Sequence, residues 1–176
     1  MADGTFAVEV VTPEVKLLEG GARAVILRSS DGELTVLDGH TPIITDVVSG
    51  PVRVEQDEGV VVRMAVHGAF LQVETGPGLT GDGREETSGA AGTWSTRLTL
   101  LAGVAERAEH IDVARAERAR AEAQAKIEEL RSRQGTVRSA ALAGEGEAAG
   151  VEDAELLMAE AALRRAEVRL EVAAGQ

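Results

Sequence analysis

Apolar residues recur at every second position over the first seventy-odd residues. Phe6, Val8 and Val10 alternate with Ala7, Glu9 and Val11, and Val52 and Val54 flank Arg53. Ala22, Ala24 and Ile26 keep the same interval, as do Leu34 and Val36, and Val60, Val62, Met64 and Val66. In an extended chain a period of two sends each set to one face, so one face can be buried while the other stays wet. Turn-forming residues separate the runs: Asp31-Gly32, Asp38-Gly39, Ser49-Gly50-Pro51, Asp57-Glu58-Gly59 and His67-Gly68. Short strands between 5 and 74 with frequent turns predict an antiparallel sandwich or flattened barrel, to which a last strand from Leu98 to Leu101 returns.

The pattern then breaks twice. Residues 76–96 contain six glycines, with Ser and Thr, and have the composition of a loop, with Trp94 expected to anchor its end. From Asp112 onward the period changes to that of a helix. Val113 to Gln134 lacks Gly and Pro and is rich in Ala, Glu and Arg, which lose little entropy in a helix. Asp112 is placed to cap it, Gly135 to stop it, and Ala116, Ala119, Ala123, Ile127 and Leu130 form an apolar stripe. A second helix is expected from Asp153 to Ala173. Its seam of Leu156, Ala159, Leu163, Ala166, Leu170 and Ala173 alternates large and small residues. Two such seams can close as an antiparallel hairpin, but alanine buries little area, so the pair is weakly held. The expected architecture is an all-β N-terminal flattened barrel or sandwich over residues 1–104, followed by an antiparallel α-helical hairpin over residues 105–176.

Composition narrows the function. The chain has only two Phe and one Trp, so its core is built from aliphatic side chains, and it has no Cys, so neither a disulfide nor a thiolate metal site can form. A net charge of −12 argues against non-specific binding to nucleic acid or anionic lipid. The charge is uneven. Residues 1–75 hold 12 acids and 5 bases, whereas residues 97–134 hold 7 acids and 8 bases. A partner of the first part is expected to offer Lys and Arg. No run reaches the roughly 18 apolar residues of a membrane span, and Met1-Ala2-Asp3-Gly4 does not read as a secretory signal. Catalytic signatures are missing: His40, His67 and His110 are far apart in sequence, and no Gly-rich phosphate loop opens a helix. The residues by themselves leave two readings, a docking subunit or an adaptor whose hairpin joins another coiled coil.

Four segments carry a resemblance. Gly32-Glu33-Leu34-Thr35-Val36-Leu37-Asp38-Gly39-His40-Thr41-Pro42-Ile43-Ile44-Thr45 resembles the Gly-Glu … Gly-His-x-Pro motif of the epsilon subunit family of the bacterial proton-translocating ATP synthase. Val66-His67-Gly68-Ala69-Phe70-Leu71-Gln72-Val73 is similar to that family's Gly-Gly-Phe/Ile-Leu-x-Val strand pair, with His67 in place of the first glycine. Ile111-Asp112-Val113-Ala114-Arg115-Ala116 matches its Ile/Leu-Asp-x-x-Arg-Ala motif, and Leu163-Arg164-Arg165-Ala166-Glu167-Val168-Arg169-Leu170 is similar to its last helix. The segments stand in the family's order. The glycine-rich stretch at 76–96 and the long connection from Gly135 to Glu152 depart from its short turns.

The resemblance implies a non-catalytic subunit of the central stalk, a rotor part that couples proton transport to ATP synthesis. It would lie at the cytoplasmic face of the cell membrane and meet the membrane only through the complex. It implies contact with the gamma subunit through His40 and Thr45, and with the ring of c subunits through Asp31, Glu33 and Asp38. It implies a regulatory hairpin that folds beside the β domain or extends toward the alpha and beta catalytic subunits. No resident cofactor or metal is implied. In some family members ATP stabilises the folded hairpin, and the matching residues are Glu106, Asp112, Arg115, Ala116, Arg165 and Arg169. Read as residues alone, Asp112 is equally a helix cap, and the two arginines a solvated face. Inhibition by extension is expected either to rest mainly on the first helix, which holds Arg115, Arg118, Arg120, Lys126, Arg131 and Arg133, or to be weak.

Overall fold

A computed structural model describes residues 4–79, 94–141 and 149–175. By internal contacts the chain divides into two units. One runs through Ile111 and takes in the residues from Val172, and the other is Asp112–Glu171.

Among its described residues the first unit has ten strands: β1 (Phe6–Val11), β2 (Lys16–Ala22), β3 (Ala24–Ser29), β4 (Gly32–Leu37), β5 (Ile43–Val47), β6 (Gly50–Glu55), β7 (Val61–Val66), β8 (Ala69–Leu79), β9 (Trp94–Ala102) and β10 (Ala105–Arg107). They pair in the order β10-β7-β6-β3-β5-β8-β9-β1-β2, with β4 on β3. Neighbours are antiparallel except β1 and β9, which run parallel with Val8 opposite Leu98. The sheet turns over on itself at β3: Ala24–Ile26 pair with β6, while Ser29 pairs with β5. A strand shared in this way makes the corner of a sandwich.

One core fills the space between the layers. Phe6, Val10, Val25, Val36, Val54, Met64, Leu71, Leu98 and Leu100 are fully buried in it. The alternation marks the inward faces correctly in β1, β4, β6 and β7. It fails at β3, where Val25 and Leu27 are buried and Ile26 is only half-buried. Ala22 ends β2 and Ala24 begins β3, so the chain leaves one strand at Arg23 and restarts the alternation in the next. The loop predicted over 76–96 is also shorter than its composition suggests. β8 runs on to Leu79 and β9 starts at Trp94, with Thr75 opposite Thr96 and Leu79 opposite Trp94. Beyond Val73, where β5 ends its pairing, these two strands continue as a ribbon. The remainder of the glycine-rich stretch, 80–93, and the anchoring expected of the Trp94 side chain lie outside the described residues.

The second unit is a pair of helices, α1 (Val113–Ala141) and α2 (Ala149–Ala173). Asp112 caps α1: its Oδ1 accepts the Arg115 N–H at 2.9 Å, and its carbonyl accepts the Ala116 N–H at 2.9 Å. Gly135 does not stop α1. A helix interior tolerates one glycine at a cost of about 1 kcal/mol, and the residues from Thr136 to Ala141 hold the helix on its far side. On α1 the stripe of Ala116, Ala123, Ile127 and Leu130 is buried as predicted, with Ala119 half-buried. Ile127, Leu130 and Ala159 form a small cluster flanked by Leu156 and Leu163. On α2 the predicted seam misses Val168 and Val172, which are 0% and 1% exposed. Among the described residues no helix is long and apolar enough to cross a membrane.

Candidate functional site

Antiparallel pairing gives the strand body two ends. One carries the turns at Ser30-Asp31, Val48-Ser49, His67-Gly68 and Gly103-Val104. The other carries Asp38 to Pro42, Gln56 to Val60, and the β8–β9 ribbon. The residues proposed for the ring contact are therefore divided. Asp31 and Glu33 are exposed at the β3–β4 hairpin, where Ser29 Oγ accepts the Asp31 N–H at 3.3 Å and donates to the Gly32 carbonyl at 3.1 Å. Asp38 lies at the far end of β4, roughly 20 Å away at the usual rise per strand residue. There its Oδ1 accepts the Ser95 hydroxyl at 2.6 Å. Asp38 thus shares its neighbourhood with His40, not with the other two acids.

His40 is half-buried in a turn closed by its own N–H on the Leu37 carbonyl at 3.1 Å. Its Nδ1 lies 2.8 Å from the Thr41 carbonyl, which can only accept, so Nδ1 carries a proton and donates it there. Thr45 lies in β5 opposite the buried Leu71, on the same side of the strand as Val47, and is half-buried. The outward positions are its neighbours Ile44 and Asp46, both exposed.

Those outward positions belong to a feature that alternation did not reveal. On the outer face of β5, β8, β9 and β1, Phe70 stands directly opposite Leu101, Leu101 lies beside Val11, and Ile44 is diagonal to Phe70. Ile44, Phe70 and Leu101 are 73%, 62% and 50% exposed. Three large apolar side chains side by side in water mark a contact surface rather than scattered exposure. The signal in the sequence is the doubled apolar pairs Ile43-Ile44, Phe70-Leu71 and Leu100-Leu101, each with one residue too many for a one-sided strand.

In the helical unit Asp112 and Arg115 are exposed at the start of α1, Ala116 is buried, Arg165 is exposed on α2 and Arg169 is half-buried; Glu106 is half-buried in β10. The cross-helix pair Arg131–Glu160, at 3.0 Å, sets an antiparallel register. Continued along the axis, that register puts Arg169 and Arg165 roughly 10 and 16 Å from the level of Arg115 at 1.5 Å per residue. The hairpin places these groups in sequence along one end and does not gather them at a point. Of the six basic residues of α1 up to Arg133, three are already engaged: Arg131 with Glu160, and Lys126 and Arg133 with Glu129. The Lys126 hydrogen bond, seconded by the charge of Arg133, lowers the pKa of Glu129. In the strand body the Glu9 and Glu19 carboxylates hold the Lys16 pKa above its ordinary value. No group of three or more His, Cys, Asp or Glu side chains is gathered for a metal among the described residues.

The comparisons with known proteins bear on both units. A family model described as "ATP synthase, Delta/Epsilon chain, beta-sandwich domain" matches residues 5–76. The ATP synthase epsilon chain of Pelotomaculum thermopropionicum is 35% identical over 127 residues, covering 72% of this chain and 79% of that one. This chain belongs to the ATP synthase epsilon chain family. The epsilon chain of Symbiobacterium thermophilum is 33% identical over 174 residues, covering 98% of this chain and 94% of its own, so that likeness extends through the helices. That of Streptomyces griseus is 33% identical over 136 residues, with 94% of its length covered. A chain in the cryo-EM structure of the Euglena gracilis mitochondrial ATP synthase OSCP/F1/c-ring in rotational state 1 shares the fold. Its TM-score is 0.64 at 20% identity, over 97% of this chain and 82% of that one. As an epsilon chain, the protein is a non-catalytic rotor subunit of the ATP synthase complex.

Proposed function

We propose that this epsilon chain joins the gamma subunit to the c-ring at the cytoplasmic face of the membrane. The observation that carries the reading is the exposed apolar row Ile44–Phe70–Leu101, which spans three adjacent strands on one face of the sheet. A rotor part must not slip under torque, and a rigid sheet face with a desolvated apolar centre gives such a grip. Gamma is assigned to this face and to the neighbouring turn at His40. The c-ring is assigned to the opposite end, where Asp31 and Glu33 stand exposed at a hairpin tip and would meet basic groups of the ring. Asp38, bound to Ser95, belongs with the gamma side. The test is reconstitution of an epsilon-depleted ATP synthase with the full chain. Wild type is expected to restore proton-driven synthesis. Glu33→Lys is expected to lower it several-fold at low salt, because a like charge then faces the ring. Equal synthesis by the two chains at every salt concentration overturns the ring assignment, and failure of wild type to assemble overturns the whole reading.

The hairpin is assigned a regulatory role toward the alpha and beta subunits. Among the described residues its apolar contacts are made largely by alanine, with Ile127 and Leu130 as the large buried side chains of α1, and its cross-helix ion pair is exposed. An exposed ion pair contributes only about 0–1 kcal/mol, so an extended state lies within reach of a partner's binding energy. ATP is proposed to bind Arg165 and Arg169 through its phosphates, with Asp112, Arg115 and Ala116 toward the nucleoside; the roughly 10–16 Å between the level of Arg115 and the two arginines of α2 is that of a nucleotide laid along the helices rather than across them. Calorimetric titration with ATP is expected to give saturable heat that Arg165→Ala with Arg169→Ala removes. No heat at millimolar nucleotide eliminates this site.

A further inference from the structure

Among the described residues, the turn from Leu37 to His40 is held by side chains from one direction. Each of its last three residues bonds one hydroxyl from the base of the β8–β9 ribbon. Asp38 Oδ1 accepts from Ser95 Oγ at 2.6 Å, Gly39 N–H donates to Thr96 Oγ1 at 2.8 Å, and the His40 carbonyl accepts from Thr75 Oγ1 at 2.6 Å. Thr75 and Thr96 are opposite each other in the ribbon, so the hydroxyls come from one rung and its neighbour. Thr96 is a polar residue with 0% exposure in a core that is otherwise almost wholly apolar. Gly39 has φ +78, a conformation that side chains other than glycine's rarely adopt, and this directs its N–H at Thr96.

We propose that Thr75, Ser95 and Thr96 are positioning residues that fix the Asp38–His40 turn in the orientation its partner reads, the partner being the gamma subunit. The inference rests on the reading above that this turn faces gamma. The central bond is the decisive one. Water cannot reach Thr96 to replace its hydroxyl, so without it the Gly39 N–H loses its acceptor or the turn must rotate outward. Rotation carries His40 with it, and the His40 ring is itself fixed to the chain through Nδ1 on the Thr41 carbonyl. The ribbon that lengthens β8 and β9 beyond the sheet thereby has a use at its base: it supplies the rung that the turn is pinned to.

The experiment uses the full chain with epsilon-depleted F1. Two quantities are read, the affinity for F1 and the exchange rate of the Gly39 amide. Thr96→Val keeps the shape and removes the hydroxyl; Thr96→Ser keeps the hydroxyl. Thr96→Val is expected to speed Gly39 exchange and weaken binding, each by about tenfold or more, the scale of one lost buried hydrogen bond. Thr96→Ser is expected to restore both. A filler of space would not be rescued in this way. The proposal is overturned if Thr96→Val leaves Gly39 exchange unchanged, or speeds exchange yet binds F1 as wild type does. Should Thr96→Val fail to fold, the exposed pair Ser95→Ala with Thr75→Val takes its place, with the same loss of affinity expected and unchanged affinity overturning the proposal. His40→Ala separates the premise. If it binds F1 normally while Thr96→Val still speeds Gly39 exchange, the turn is pinned but is not the gamma contact, and the positioning role toward gamma falls.

Discussion

Phe6→Ala is expected to lower the stability of the strand body by about 3–5 kcal/mol, the usual cost of truncating a buried aromatic ring. Phe6 is 0% exposed and stands opposite Ala22 of β2 in a core made otherwise of Val, Leu, Ala and Met. Collapse around the missing ring is limited for two reasons. The neighbours are largely β-branched and stiff about χ1, and their strands are locked in register on both sides of β1. Native domains keep only about 5–15 kcal/mol in total, so this one change removes a large share. The calorimetric transition of the strand body is expected to fall by roughly 12–40 °C at the usual sensitivity of about 4–8 °C per kcal/mol. Phe70→Ala is the matched control: the same ring is lost from a position 62% exposed, and the transition should move by only a few degrees. A small shift for Phe6→Ala would mean that β1 is not gripped between β2 and β9.

The contrast between these two phenylalanines shows what the sequence could and could not convey. Alternation reports that a strand has a wet and a dry side, and wherever polar residues occupied one parity, as around Arg53 in β6, it chose the dry side correctly. It has no power where both parities are apolar. In β8 and β9 the runs Ala69-Phe70-Leu71 and Leu100-Leu101 are consistent with either face inward. Only the pairing with β5 and β1 decides that Leu71 and Leu100 are the core and that Phe70 and Leu101 face out. The same limit explains Thr45. The motif marked the segment, but the side of the strand is set by register, and the exposed residues are one position away.

Other differences arise from long-range bonds that composition does not register. Residues 76–79 and 94–96 read as loop, yet ladder pairing of β8 with β9 holds them as strand. The hydroxyls of Thr75, Ser95 and Thr96 carried no meaning until folding set them against Asp38, Gly39 and His40, between 35 and 57 residues away in sequence. Local signals fared better where the physics is local. Asp112 caps α1 because an N-cap needs only its own next three residues. The helical stripe of α1 was likewise legible, since a period of 3.6 is fixed by the backbone itself. Val168 and Val172 of α2 were missed because they lie off the seam, which describes one contact face only.

The double variant Phe70→Gln with Leu101→Gln is expected to leave the subunit folded and to abolish its incorporation into the ATP synthase. Both side chains point away from the core, so exchanging them for neutral polar groups should shift the unfolding transition by only a few degrees. Glutamine is chosen over aspartate because Asp46 already faces Phe70 from β5, and a second acid there would add cross-strand repulsion unrelated to docking. In the complex the balance is different. Residues at the centre of an interface typically cost 2 kcal/mol or more each when truncated, so the pair should weaken binding to epsilon-depleted F1 by roughly a thousandfold. The pattern separates a docking face from a merely tolerated apolar surface: the former predicts an intact fold with lost assembly, the latter an intact fold with assembly retained. If the double variant co-purifies with F1 at full occupancy, gamma does not bind this face. The grip would then have to come from the Asp38–His40 turn alone, and that turn offers polar groups without the apolar centre that a torque-bearing contact requires.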